Sequence, residues 1–323
     1  MLPIRIAVVG VGTMGLHHLR VYDELKNVDL VGLYDQDQKK AREHAARFNT
    51  VSLPSLDAVV ESAQAVSICS PSVTHTEIGL YFLERGIHCL IEKPLATTES
   101  DCLALIACAN ASNAKLMVGH IERFNPVVQQ LTRILDNGIT VHAIEARRLS
   151  AASRRILDID VVSDLMVHDL DIILSLVKSP VKDVTARSVT TKGSNSSDYV
   201  TALVTFENNT LATLTASRIT QNKVRELHVT TDKDLVSIDY ISQNLLVFQQ
   251  SQPFMERPRE RLGDYTLDVA MERAFVRHEE PLQAELRHFI DAILHDHEPM
   301  VTGAQALEAM RLVWSIQEMV RQA

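Results

Sequence analysis

Residues 4–15 read IRIAVVGVGTMG, a β-branched apolar run that breaks into glycines at positions 10, 12 and 15. In a G-x-G-x-x-G turn each glycine has a separate steric task. Gly10 permits the tight turn out of a strand, and Gly12 lets the backbone come close to a pyrophosphate. Gly15 lets the following helix pack near the strand. A helix starting near Thr13 would aim its unpaired N–H groups and the positive end of its dipole at the same phosphates. The stretch therefore predicts a dinucleotide loop formed by Gly10, Gly12, Thr13, Met14 and Gly15.

Twenty residues on, VDLVGLY at 28–34 reads as a second strand and ends at Asp35. An acid at that distance, on the tip of strand two, accepts hydrogen bonds from an adenosine ribose. Its carboxylate would repel a 2′-phosphate, and the next residue is Gln36 rather than an arginine. NAD is expected over NADP, although Lys39 and Lys40 lie close by. The bland alternative is that Asp35 only caps a helix starting near Asp37.

With 323 residues the chain is about two domains long. A formal net charge of −9 argues against sequence-independent binding to nucleic acid or to an anionic membrane surface. The four cysteines (Cys69, Cys89, Cys102, Cys108) show no C-x-x-C spacing. They read as small buried hydrophobes of a reducing compartment, and no metal site is expected. Met1-Leu2-Pro3 runs straight into the first strand pattern, and no apolar run approaches a membrane span, so a cytoplasmic location is expected.

Up to about residue 120, helical patterns (14–26, 37–48, 55–62, 75–85, 98–113) alternate with short apolar runs near 66–69, 87–91 and 116–118. This predicts an α/β Rossmann domain, a doubly wound parallel sheet whose ligands bind at the carboxyl edge of the strands. After a helix at 126–137 the pattern changes to period two, at 141–149, 184–191, 199–206, 211–219, 225–230, 235–240 and 245–249. Consecutive strands of this kind predict a second, α+β domain on an open, largely antiparallel sheet. One helix at 163–177 interrupts it, and helices at 282–295 and 304–321 close the chain. The polar stretch 251–280 reads as a surface excursion or an oligomer contact. The expected division is 1–122 for the cofactor domain and 123–323 for substrate binding and oligomerisation, with the C-terminal helix free to pack back on the first.

Two constellations carry chemistry. Glu92-Lys93-Pro94 closes the run at 87–91, read as the end of a fifth strand, which puts Lys93 at the carboxyl edge. An ammonium beside a nicotinamide can hydrogen-bond a substrate hydroxyl or polarise a developing carbonyl. Asp164 and His168 are spaced i, i+4 at the start of the interrupting helix, so both leave one face. A carboxylate that orients an imidazole suits acid/base work. The competing reading makes Asp164 a helix cap and His168 a satisfied core histidine. The other histidines, including His17-His18, read as surface or helix-end residues.

The glycine turn, Asp35, Ser70-Pro71-x-x-x-His75, Glu92-Lys93-Pro94 and Asp164-x-x-x-His168 follow in order over nearly the whole chain. Together they resemble the glucose-fructose oxidoreductase / inositol dehydrogenase (Gfo/Idh/MocA) family. The resemblance implies a Rossmann domain followed by an open-sheet domain used for packing into a homodimer or homotetramer. It also implies NAD held with the help of Ser70, Pro71, His75, Glu92 and Lys93. Lys93 and His168 would contact the reacting hydroxyl, with Asp164 beside them. Within the family, GHIERFNP at 119–126 and VVSDLMVHDLDII at 161–173 are similar to members that oxidise C3 of a UDP-N-acetyl-hexosamine, in particular UDP-N-acetylglucosamine. Their 3-keto product goes to a PLP aminotransferase in lipid A biosynthesis. Glu122, Arg123 and Asn125 become candidate substrate contacts, weighed against packing at a helix start. One departure is Val161-Val162-Ser163, where many members carry glycines before the aspartate. Two other readings stay open: a dehydrogenase of a different sugar, cyclitol or imine, and an NAD-binding regulatory protein without catalysis. Retention of Lys93, Asp164 and His168 together separates the enzyme from the binding module.

Overall fold

The structure, a computed structural model, describes residues 2–136, 138–151, 160–191, 194, 196–250 and 269–322. They form two compact units, Met1–Phe124 with Glu279–Arg311, and Asn125–His278 with Leu312–Ala323.

The first unit is built on strands β1 (Ile4–Val9), β2 (Val28–Tyr34), β3 (Ala65–Ile68), β4 (His88–Glu92) and β5 (Leu116–Gly119). All pair in parallel, in the order β2-β1-β3-β4-β5. Strands covered on both faces need apolar side chains on both; β3 and β5 are buried at every position, and their one polar side chain, Ser67, is hydrogen-bonded to the buried Tyr22 hydroxyl at 2.7 Å. The helices are α1 (Thr13–Glu24), α2 (Gln38–Arg47), α3 (Leu56–Ser62), α4 (His75–Leu83) and α5 (Glu99–Ser112). Side-chain caps fix several starts, where Asp37, Ser55 and Thr98 accept from first-turn N–H groups. β1 is followed outward by β2, and the chain then returns to β3 on the other side. The crevice outside the ends of β1 and β3 is therefore the topological switch point at which such sheets bind ligands. The Glu92-Lys93-Pro94 tripeptide ends the fourth strand in chain order, not the fifth. Ser52 makes only an isolated bridge to Leu33, so the segment before α3 adds no strand.

The second unit opens with α6 (Pro126–Leu135) and β6 (Val141–Leu149). A π-helical turn at Val162–Met166 follows and leads into α7 (Val167–Val177). Its remaining strands are β7 (Val181–Val189), β8 (Tyr199–Phe206), β9 (Leu211–Ser217), β10 (Val224–Thr231), β11 (Asp234–Asp239), β12 (Asn244–Gln250) and β13 (Val269–Arg273). The eight strands run in the order β13-β12-β11-β10-β6-β9-β8-β7, and only β6 and β9 pair in parallel. Alternation is clean: in β8, Val200, Ala202, Val204 and Phe206 are buried while Tyr199, Thr201 and Leu203 face out. α6 and α7 cover the buried face.

Two expectations change here. The interrupting helix begins with a π turn rather than an α turn. Residues 251–280, read as an excursion, contain β13, which is held by ladder bonds to β12 while the side chains of residues 270–273 are exposed. Positions 251–268 of that stretch lie outside the described residues.

The last helices are α8 (Pro281–Leu294) in the first unit and α9 (Gly303–Gln322), whose residues divide between the two units. Among the described residues no helix is long and apolar enough to cross a membrane.

Candidate active site

The carboxyl edge of the first sheet is assembled from five loops. At the first, Gly10 has φ +91°, and a Cβ there would lie 2.7 Å from the backbone nitrogen of Ser70. A Cβ on Gly15 would meet the carbonyl oxygen of Gly10 at 1.9 Å. Any side chain at either position would force the loop apart. At Gly12, in contrast, a Cβ would meet nothing within 4 Å, and Gly12 caps α1 without a side-chain hydrogen bond. The first-turn N–H groups of Thr13, Met14 and Gly15 are thus left to an external anion, and no acid in that turn competes for them. The loop fits a dinucleotide pyrophosphate.

Asp35 leaves the end of β2 and one carboxylate oxygen accepts from the Val11 N–H at 2.8 Å. The other accepts from Asp37 N–H at 2.9 Å. The cap of α2 is Asp37 itself, so the capping alternative for Asp35 does not hold. Each oxygen retains a lone pair for a ribose hydroxyl. Asp35 therefore braces the glycine loop and keeps acceptor capacity at the tip of the second strand. Asp35→Ala is expected to weaken NAD binding by about tenfold and to bring NAD and NADP affinities together, read by titration calorimetry with each cofactor. Tighter NADP than NAD binding by the wild type would contradict the assignment.

After β3, Ser70 accepts from the Thr74 hydroxyl at 2.8 Å, and Pro71 is exposed. His75 is 1 % exposed and its ring faces two backbone carbonyls. Cys69 lies at this strand end; burial pushes its thiol well up, and Glu92 and Glu285 push the same way, so it stays protonated.

After β4, Glu92 is oriented on both oxygens. One lies 3.0 Å from His18 Nε2, and the other accepts from the Lys93 N–H at 3.2 Å. Gly119, its register partner on β5, would place a Cβ 3.1 Å from the Glu92 carboxyl carbon, so glycine makes room for that side chain. Lys93 is half-buried at the strand end, and the Lys93-Pro94 peptide is cis.

His18 was expected at the surface and is fully buried. The signal was available: Gly15, His18, Leu19 and Tyr22 follow the i, i+3, i+4, i+7 spacing of an inward helix face. Sequence reading also passed over Glu285, fully buried on α8 among Leu282, Leu286 and Phe289.

Beyond β5, Glu122 and Arg123 are half-buried in a 3₁₀ turn, Ile121–Phe124, and an Arg123 guanidinium nitrogen lies 3.5 Å from the carbonyl of Met300. Asn125 does not present itself to a substrate. It is 2 % exposed, caps α6 through the Val127 N–H at 3.3 Å, and donates to the Tyr240 carbonyl at 3.1 Å.

In the second unit, Asp164 and His168 are both half-buried on the π turn and the start of α7. Asp160 does the capping, accepting from the N–H groups of Val162 at 2.9 Å and Ser163 at 3.2 Å. Asp164 is thereby released from the capping role that the bland reading gave it. The widened turn keeps i and i+4 on one side, and such turns recur at functional sites. The helix is anchored one residue past His168. Asp169 receives a bidentate pair from Arg148 on β6, at 2.8 Å from both Nε and an Nη, with the guanidinium 5.1 Å from the Tyr240 ring centre. Among the described residues no cluster of three or more His, Cys, Asp or Glu side chains could hold a metal ion.

The chain matches the family model for the oxidoreductase NAD-binding Rossmann fold over residues 4–120, and a GFO/IDH/MocA C-terminal domain over 144–236. It is 33 % identical over 314 residues to the UDP-N-acetylglucosamine 3-dehydrogenase of Acidithiobacillus ferrooxidans, covering 96 % of each chain. A solved structure of that enzyme superposes with a TM-score of 0.91 at 30 % identity, over 100 % of this chain and 99 % of the other. An inositol 2-dehydrogenase of Acidothermus cellulolyticus is 27 % identical over 57 % of this chain and 56 % of its own. With this coverage, and with the glycine loop, Asp35 and Lys93 at one sheet edge, the chain belongs to the GFO/IDH/MocA family of NAD-dependent oxidoreductases.

Proposed function

We propose that the protein oxidises the C3 hydroxyl of UDP-N-acetylglucosamine to a ketone. Full-length similarity to an enzyme of that name carries the reading, since the inositol 2-dehydrogenase aligns over little more than half the chain. NAD, when bound, accepts the hydride from the sugar carbon. The chain's residues do the rest. Lys93 donates to the reacting oxygen and polarises it, and His168 with Asp164 makes up the proton-handling set. Glu122 and Arg123 are the remaining candidates for sugar contacts. The 3-keto product would be consumed by a PLP aminotransferase, which supplies a 3-amino sugar for lipid A, and both steps would be cytoplasmic.

Oxidation of an alcohol by NAD is uphill near neutral pH, so the test couples the reaction to the aminotransferase with glutamate, or to a keto-trapping amine. NADH formation is expected to rise with UDP-N-acetylglucosamine and to be much weaker with the free sugar, because binding energy from the nucleotide positions the reacting carbon. Silence with every UDP-N-acetyl-hexosamine, with brisk turnover of a free sugar or inositol, would leave only the family assignment standing.

We also propose a homodimer or homotetramer formed through the open face of the eight-stranded sheet. One row of paired residues crosses seven strands of that face: Thr205, Leu211, Ala143, Thr230, Leu235, Phe248 and Met271. Leu211 is 40 %, Leu235 36 % and Met271 63 % exposed. A row in which five of seven side chains are apolar, on a sheet face that none of the described helices covers, favours burial against a second copy. Light scattering at micromolar concentration is expected to give a multiple of 36.0 kDa; a monomer alone would rule the assembly out.

A further inference from the structure

His75 joins the loops after β3 and β4 through its side chain. It is the first residue of α4 and is 1 % exposed. Its Nδ1 lies 2.8 Å from the carbonyl oxygen of Pro94, and its Nε2 lies 2.9 Å from the carbonyl oxygen of Ser70. A carbonyl oxygen can only accept. A neutral imidazole has one N–H, so in either tautomer one bare nitrogen would point its lone pair at a carbonyl lone pair across hydrogen-bond distance, with no water to intervene.

We infer that His75 is a positioning residue whose ring carries a hydrogen on both nitrogens, and that this buried imidazolium ties the Lys93-Pro94 turn to the Ser70 loop. The start of a helix disfavours a cation. Burial of the charge is a further cost, and two charge-assisted hydrogen bonds to main-chain carbonyls oppose both. The charged side chains on the neighbouring segments are Glu77 on α4, Glu92 and Lys93 at the end of β4, and Glu99 and Asp101 at the start of α5.

The consequence falls on Lys93. Its N–H is held by Glu92 on one side, and the carbonyl of the next residue is held by His75 on the other. The main chain of the lysine is therefore clamped at both ends, and its side chain extends from a fixed base. A displacement of about 1 Å at such a group costs up to roughly a hundredfold in rate.

The activity arm of the test rests on the dehydrogenase reading above; the spectroscopic arm does not. Long-range proton–nitrogen spectra of ring-labelled wild-type protein at pH 7 would be assigned to His75 by difference from His75→Gln. Two hydrogen-bearing ring nitrogens are expected, and one bare nitrogen overturns the inference whether or not the enzyme turns over any sugar. In the coupled assay, His75→Gln places both its donor hydrogens on one nitrogen and cannot span the two carbonyls. Its kcat is expected to fall at least tenfold. An unchanged kcat would remove the positioning role. If the variant does not fold, the wild-type spectrum still decides, with the assignment taken from His75→Asn.

Discussion

Lys93→Met and His168→Ala are each expected to lower kcat by roughly a hundredfold or more while NAD still binds with near wild-type affinity. Methionine keeps most of the length and apolar stem of lysine and removes only the ammonium. The clamps that hold this turn use the Glu92 carboxylate and the Pro94 carbonyl, which the substitution leaves in place. The pyrophosphate cradle and Asp35 are likewise untouched. His168 lies one residue before the Arg148–Asp169 anchor, so truncating its ring leaves α7 attached to β6. Turnover near wild type in both variants would refute the proton-handling assignment. Loss of NAD binding along with turnover would instead mean that these side chains shape the cofactor loop.

The largest stability effect is expected at Asp198, far from the chemistry. Its carboxylate accepts from the Arg218 Nε at 2.7 Å, the Thr191 N–H at 2.8 Å, the Thr191 hydroxyl at 2.6 Å and the Ser194 hydroxyl at 3.1 Å. Burial alone would raise its pKa, but the Thr191 bonds, Arg218 and Ser194 together hold it at about 2, below the ordinary 3.8. Asp198→Ala strands a buried guanidinium, at a cost of about 3–5 kcal/mol. A urea midpoint within error of wild type would show the node to be dispensable.

The pH dependence follows from the sign of the shift. With the folded pKa below the unfolded one, the stabilisation is complete above pH 4 and is lost as pH falls toward 2. It amounts to about 2 kcal/mol. Asp198→Asn keeps the shape and lacks the titration. The stability gap between wild type and this variant should therefore shrink on acidification across that window.

Much of the candidate site was legible in sequence because its signals are local. The glycine turn works through Cβ clashes within a few residues of each glycine, and the acid at the tip of strand two follows from the length of one βαβ unit. The period-two strands of the second unit were legible for the same reason, since one covered face imposes alternation on each strand separately. β13 was not, because its stability comes from pairing with β12 rather than from its own pattern.

What the sequence determined by itself is therefore the class of fold and the cofactor loop, each coded over a few residues by sterics or periodicity, together with the candidates for the chemistry. What only the tertiary structure decided is which partner each polar side chain takes. Asp35 reaches back to Val11, His18 meets Glu92, His75 spans Ser70 and Pro94, and Arg148 holds Asp169. Asn125 passes from substrate candidate to buried cap because the Tyr240 carbonyl, 115 residues away, sits beside it. Such pairings depend on strand order and register, which bring distant segments into hydrogen-bond reach and which no local pattern encodes.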